Sequence, residues 1–118
     1  MSVLLELSGQ PGFIAAGEYS YRGDRFSFKG QLTDDMAKMA SIMCRATTMS
    51  EHMQCGMLES FCPECGVMPP RGWIVRGPSF TVCNMANVFC FLDNSKSSVN
   101  DVLAVMKRYR GNASDELI

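Results

Sequence analysis

Histidine is almost absent from this sequence: His52 is the only one in 118 residues. That leaves little material for imidazole acid–base chemistry or for a histidine-rich metal centre. An excess of one charge is missing too. Eleven Lys and Arg against twelve Asp and Glu give a formal net charge of −1, so the basic face that nucleic acid needs is lacking and no nucleic-acid partner is expected. Long apolar runs are also absent. The densest, Val88-Phe-Cys-Phe-Leu92, is far short of the roughly 20 residues of a membrane helix, so no membrane insertion is expected. The opening Met1-Ser-Val-Leu-Leu-Glu6 has no basic stretch and soon meets an acid, which argues against a signal peptide and for a cytoplasmic protein. There is no H-E-x-x-H, no Ser/His/Asp order and no phosphate loop, and Gly9–Gly12 is too short for a dinucleotide fingerprint. No catalytic residue is assigned, and a non-enzymatic protein is expected.

Sulfur is what the chain does have. Six Cys and ten Met sit in an otherwise ordinary globular composition, 47% hydrophobic and 19% charged. The length suits one domain, read here as residues 1–111, followed by a flexible tail over 112–118. Val3, Leu4, Leu5 and Leu7 predict a short helix ended by Gly9 and Pro11. Phe13–Tyr21 and Arg25–Lys29, either side of the turn signal Arg22-Gly-Asp24, predict a β-hairpin. Thr33 then caps a long helix whose first turn carries Asp34 and Asp35. Those acids are better explained by the helix dipole than by acid–base chemistry.

Met36, Met39, Met43, Ala46, Met49, Met53 and Met57 follow at helical spacing and form one apolar face. Unbroken to Phe61, this helix would be about 43 Å long, more than the roughly 35 Å diameter of a compact domain of this size. Either Gly56 ends it, or it overhangs and packs on a partner. The methionine face reads as core plus dimer seam, with an open peptide groove as the alternative.

Trp73–Val75, Phe80–Met85 and Val88–Leu92 read as three strands, with Ala86-Asn87 turning the second into the third. Their continuous apolar character implies a sheet covered on both faces. Ser98 opens a last helix, with Val99, Val102, Leu103 and Met106 inward and Gly111 at its end. The order helix, two strands, long helix, three strands, helix is an α/β (α+β) arrangement. Its economical packing is a single five-stranded antiparallel sheet, with the long helix on one face and the terminal helices on the other.

This succession resembles the roadblock/dynein-light-chain domain, a profilin-like α/β/α sandwich, and in particular an uncharacterised bacterial and archaeal branch of it. The likeness lies in Gly12-Phe-Ile-Ala-Ala-Gly17, Met36-Ala-Lys-Met-Ala40 with Met43-Cys44, Gly72-Trp-Ile-Val-Arg-Gly-Pro78 leading into Thr81-Val-Cys83, and Phe91-Leu-Asp-Asn94, and it covers about residues 1–110. The resemblance implies a homodimer that extends the sheet through the middle strand and packs two long helices side by side. The interface would then hold Trp73, Ile74, Val75 and Arg76 with Met39, Met43, Met49 and Met53. It further implies an adaptor or scaffold, in some cases a regulator of small GTPases. Relatives of this branch suggest heterodisulfide-reductase-like sulfur-oxidation subunits as protein partners. The cysteine segment after the long helix departs from simpler roadblock domains.

That segment, Cys62-Pro-Glu-Cys65-Gly66, places two sulfurs on one side of a tight loop. Three readings stand open. With His52 and Cys55, one helical turn apart, the pair would make a Cys₃His zinc set. Alone it would be a dithiol for redox or sulfur-transfer chemistry, or simply two free loop cysteines. In a reducing compartment, thiols, ligands or redox groups are expected before structural disulfides. His52 taken alone reads as a surface or packing histidine. Across the Ala86-Asn87 turn Cys83 faces Cys90. Disulfide geometry is possible at that pair, but free buried cysteines are the better reading, as for Cys44.

Overall fold

The computed structural model describes residues 2–20 and 25–110. The turn expected at Arg22-Gly-Asp24, the stop at Gly111 and the tail 112–118 lie outside the described residues. The chain forms α1 (Val3–Ser8), β1 (Phe13–Tyr19), β2 (Phe26–Gly30), α2 (Asp34–Phe61), a 3₁₀ turn (Pro63–Cys65), β3 (Gly72–Arg76), β4 (Phe80–Met85), β5 (Val88–Asp93) and α3 (Val99–Arg110). The helix starts are fixed by local chemistry. The Leu5, Met36 and Asp101 N–H groups donate to the Oγ atoms of Ser2, Thr33 and Ser98 at 3.2, 3.2 and 3.3 Å, satisfying donors that a helix start otherwise leaves unpaired.

All five strands join one antiparallel sheet in the order β2-β1-β5-β4-β3. The β4–β5 hairpin has the register expected from its turn: Met85 pairs with Val88, Asn84 with Phe89 and Cys83 with Cys90. Ala86 takes a left-handed φ of 56° there. The turn is held down on β1, where the Tyr19 N–H donates to Asn87 O at 3.1 Å and Asn87 Nδ2 donates to Tyr19 O at 3.2 Å.

Alternation along the strands divides the interior into two layers. One side of the sheet sends Ala16, Cys83, Met85, Val88, Cys90 and Leu92 against α1 and α3, whose Val3, Leu4, Leu7, Val102, Val105 and Met106 are buried. Val105, not foreseen from the pattern, is fully part of this layer. The layer is tied at its rim by Glu6, which accepts from Tyr109 Oη at 2.7 Å and pairs with Arg108. Tyr109's hydrogen bond, then Arg108, hold the Glu6 carboxyl below its ordinary value.

The opposite face carries Tyr19, Phe89 and the half-buried Phe26, Trp73 and Phe91 beneath α2. Phe89 and Phe91 meet edge to face with centroids 5.6 Å apart, a favoured aromatic arrangement. Phe89 runs across Gly17, where a Cβ would lie 2.4 Å from its ring, so a glycine leaves the room this ring fills. Replacing Phe89 by Ala should lower unfolding stability by about 3–5 kcal/mol. Urea denaturation followed by circular dichroism measures this, and a loss under about 1 kcal/mol would contradict the packing described.

Candidate functional site

The long helix α2 runs its 28 residues without a break at Gly56. At 1.5 Å per residue that is about 42 Å, close to the longest extent of the molecule, 41 Å. Only Ala37, Ala40, Ser41 and Cys44 are buried, all in its first half. These small side chains bring the helix backbone close to the aromatic sheet face, and Ser41 Oγ satisfies itself by donating to Ala37 O at 2.8 Å. The methionine face is therefore not core, contrary to the sequence expectation. Met39 and Met43 are 57% and 60% exposed, and Met36, Met49, Met53 and Met57 are exposed as well.

The three apolar strands also differ from one another. β4 and β5 lie inside the sheet and are covered on both faces. β3, third in sequence, is at the edge, and its Ile74 and Val75 are exposed, so the expected cover on both faces does not reach it. Val75 shares the α2 side of the sheet with Trp73, Ile74 projects from the other side, and Arg76 is exposed at the strand's end. Between α2 and β3 opens an apolar groove of about 820 Å³, lined by Met36, Met39, Met43, Val75, Phe80 and Phe91 among others. Exposed helix face, groove and strand edge thus form one continuous apolar surface, larger than the scattered apolar residues normal on a monomer.

The relation of α2 to β3 is set by a part-buried polar chain. Thr48 Oγ1 accepts from Trp73 Nε1 at 2.8 Å and from Asn84 Nδ2 at 3.3 Å. Asn84 Nδ2 also reaches Ala86 O at 3.0 Å, and Asn84 Oδ1 accepts from Tyr19 Oη at 3.0 Å. Helix, edge strand, inner strand and β1 are linked by side chains that satisfy one another, and burial raises the Tyr19 hydroxyl's pKa. Beside this chain a recess of about 330 Å³ is bordered by Glu51, His52, Arg71 and Asn84 together with Pro69 and Pro70. Burial raises the Glu51 carboxyl, and its Oε2 has no hydrogen-bond partner among the described residues. Sequence reading missed this chain, because a lone Asn in an apolar strand and a Thr within a helix match no motif.

The sulfur groups are sorted by depth. Cys44, Cys83 and Cys90 are buried and free, as the sequence suggested, and Cys83 Sγ donates to Cys90 O at 3.8 Å. Burial pushes the Cys44 thiol up to about 12. Cys90 is also raised, first by its hydrogen bond with Cys83 and then by burial. Cys62 and Cys65, expected as thiols, ligands or a redox pair, are bonded to each other, with Cα atoms 5.4 Å apart. The Cys₃His set is not assembled. His52 is exposed beside the recess, Cys55 is a free half-buried thiol, and among the described residues no three His, Cys, Asp or Glu side chains are placed to hold a metal ion. The four-residue ring closed by the disulfide is worth only about 2 kcal/mol in the chain-entropy picture.

Likeness to known proteins runs along the whole of this architecture. The family of uncharacterized conserved proteins DUF2173 matches residues 3–108. The chain belongs to the DUF2173 family. No curated protein matches it. Two solved structures resemble this DUF2173 member in fold. One is described as MglB with a tetrameric arrangement: TM-score 0.72, 14% identity, 93% of this chain and 81% of that one covered. The other is the gliding protein MglB of Thermus thermophilus: TM-score 0.70, 14% identity, 92% and 80% covered. The DUF2173 chain has the roadblock fold, as the resemblance implied. Among the described residues no helix is long and apolar enough to cross a membrane.

Differences in burial give a direct check on the sulfur assignments. N-ethylmaleimide at pH 8 should label Cys55 in the native protein, while Cys44, Cys83 and Cys90 should react at least about tenfold more slowly until denaturant is added. Peptide mass spectrometry reads the sites, and equal native labelling of Cys44 and Cys55 would contradict the depth assigned to Cys44.

Proposed function

We propose that this DUF2173 protein is a non-enzymatic cytoplasmic adaptor that works as a roadblock-type homodimer. The observation that carries the reading is the continuous apolar surface of α2, the groove and the β3 edge. An exposed edge strand offers unpaired N–H and C=O groups that a second strand can complete. An overhanging helix with exposed Met39, Met43, Met49 and Met53 adds apolar area beside it. Two copies meeting here would cover both at once, with Trp73, Ile74, Val75 and Arg76 along the strand seam. The tetrameric arrangement described for MglB, a fold neighbour, is in keeping with self-association. A small GTPase is the partner class the roadblock fold suggests for the assembled dimer. The sequence resemblance suggests heterodisulfide-reductase-like subunits as the wider setting, and co-purification from the native host would identify the actual partner.

Light scattering coupled to size exclusion at micromolar protein should give about twice the monomer mass of 13.0 kDa. Met43→Glu, which places a charge in the seam by replacing an exposed residue, should weaken dimerisation by at least roughly tenfold, or about 1.4 kcal/mol. A wild-type monomer, or a Met43→Glu dimer of unchanged affinity, would refute the interface.

A further inference from the structure

The adaptor reading gives no role to the Cys62–Cys65 pair, the only two cysteines among the described residues that are bonded to each other. Cys65 is exposed, Cys62 is half-buried, and Pro63, Glu64 and Gly66 around them are exposed. Gly66 turns the chain away with a left-handed φ of 71°, and a Cβ there would meet nothing within 4 Å, so the loop faces open space. The bond ties together no distant elements. Its turn is held independently, by the Cys62 N–H donating to Leu58 O at 2.9 Å and the Cys65 N–H donating to Cys62 O at 3.1 Å. Opening the disulfide therefore removes no contact that the helix end or the sheet needs. Cys44, Cys83 and Cys90 are buried and do not compete for exchange, which leaves Cys55 as the free half-buried thiol that site-resolved alkylation scores separately.

The geometry points to a reversible two-electron thiol–disulfide site at Cys62-Pro-Glu-Cys65, whose exchange partner is a dithiol. A partner thiolate attacks the exposed Cys65 sulfur. The Cys62–Cys65 bond breaks, a mixed disulfide forms at Cys65, and Cys62 leaves as a thiolate. The partner's second thiolate then attacks its own sulfur in the mixed disulfide and releases Cys65. The partner ends as a disulfide, Cys62 and Cys65 end as thiols, and the two protons of the partner dithiol end on them. The reverse sequence reoxidises the pair. This site is independent of the dimer surface and stands whether or not the chain dimerises.

The intact protein tests it with two reductants, dithiothreitol and thioredoxin kept reduced by its reductase and NADPH, followed by alkylation and peptide mass spectrometry. Native wild-type protein should gain two thiols together, at Cys62 and Cys65, with unchanged helical circular dichroism. Cys62→Ser should accumulate a mixed disulfide at Cys65 in glutathione buffer, at least about tenfold more than Cys65→Ser accumulates at Cys62. Reduction by both reagents supports a protein dithiol as partner, and reduction by dithiothreitol alone supports a small-molecule dithiol. Resistance to both short of unfolding would overturn the proposal. So would loss of helix on reduction, separate glutathionylation of the two cysteines in wild type, or a reduced pair holding one equivalent of zinc by elemental analysis.

Discussion

The structure depends on how closely α2 approaches the sheet. Contact is made by Ala37, Ala40, Ser41 and Cys44, while the sheet supplies the bulk through Tyr19, Phe89, Phe91 and Trp73. Small residues facing aromatic ones let helix and sheet share one buried cluster. They also fix the helix rotation: the side that bears small residues must face inward, so the methionines face outward. The part-buried chain from Trp73 through Thr48 and Asn84 to Tyr19, on the same face of the sheet, then locks that rotation.

Two consequences for function follow from this one contact. A helix whose buried residues all lie in its first half leaves Met49, Met53 and Met57 exposed along its second half. The same packing leaves β3 as an open edge next to the exposed helix face. The apolar groove belongs to the first half of α2 and to β3, whereas the disulfide belongs to the turn that ends the helix.

Much of this was legible locally. Thr33 marks a helix start because its hydroxyl can reach a free N–H three residues on, and Ala86-Asn87 sets the Cys83–Cys90 register because a two-residue turn allows only one pairing of its flanking strands. These are short-range constraints, and a linear sequence contains them whole. The methionine stripe misled for a related reason. Its spacing correctly reports a helix, but periodicity cannot say which of two apolar faces is inside. Size and hydropathy favour Met over Ala, Ser and Cys as core, and that preference reverses when the opposing surface is already crowded with rings. The four residues of the zinc set show the same limit: a spacing that allows four ligands does not by itself bring them together, and here Cys62 and Cys65 are bonded to each other.

The sequence by itself determined the order of the elements, the helix starts at Thr33 and Ser98, the roadblock likeness and the hairpin register, because each rests on neighbours along the chain. Only the tertiary structure decided which face of α2 is buried, that the third strand is an edge, that Asn84 and Thr48 form a clamp, and that Cys62 is bonded to Cys65 and does not meet His52. Those outcomes depend on which surfaces fill the same space, and close packing settles that among residues far apart in the chain.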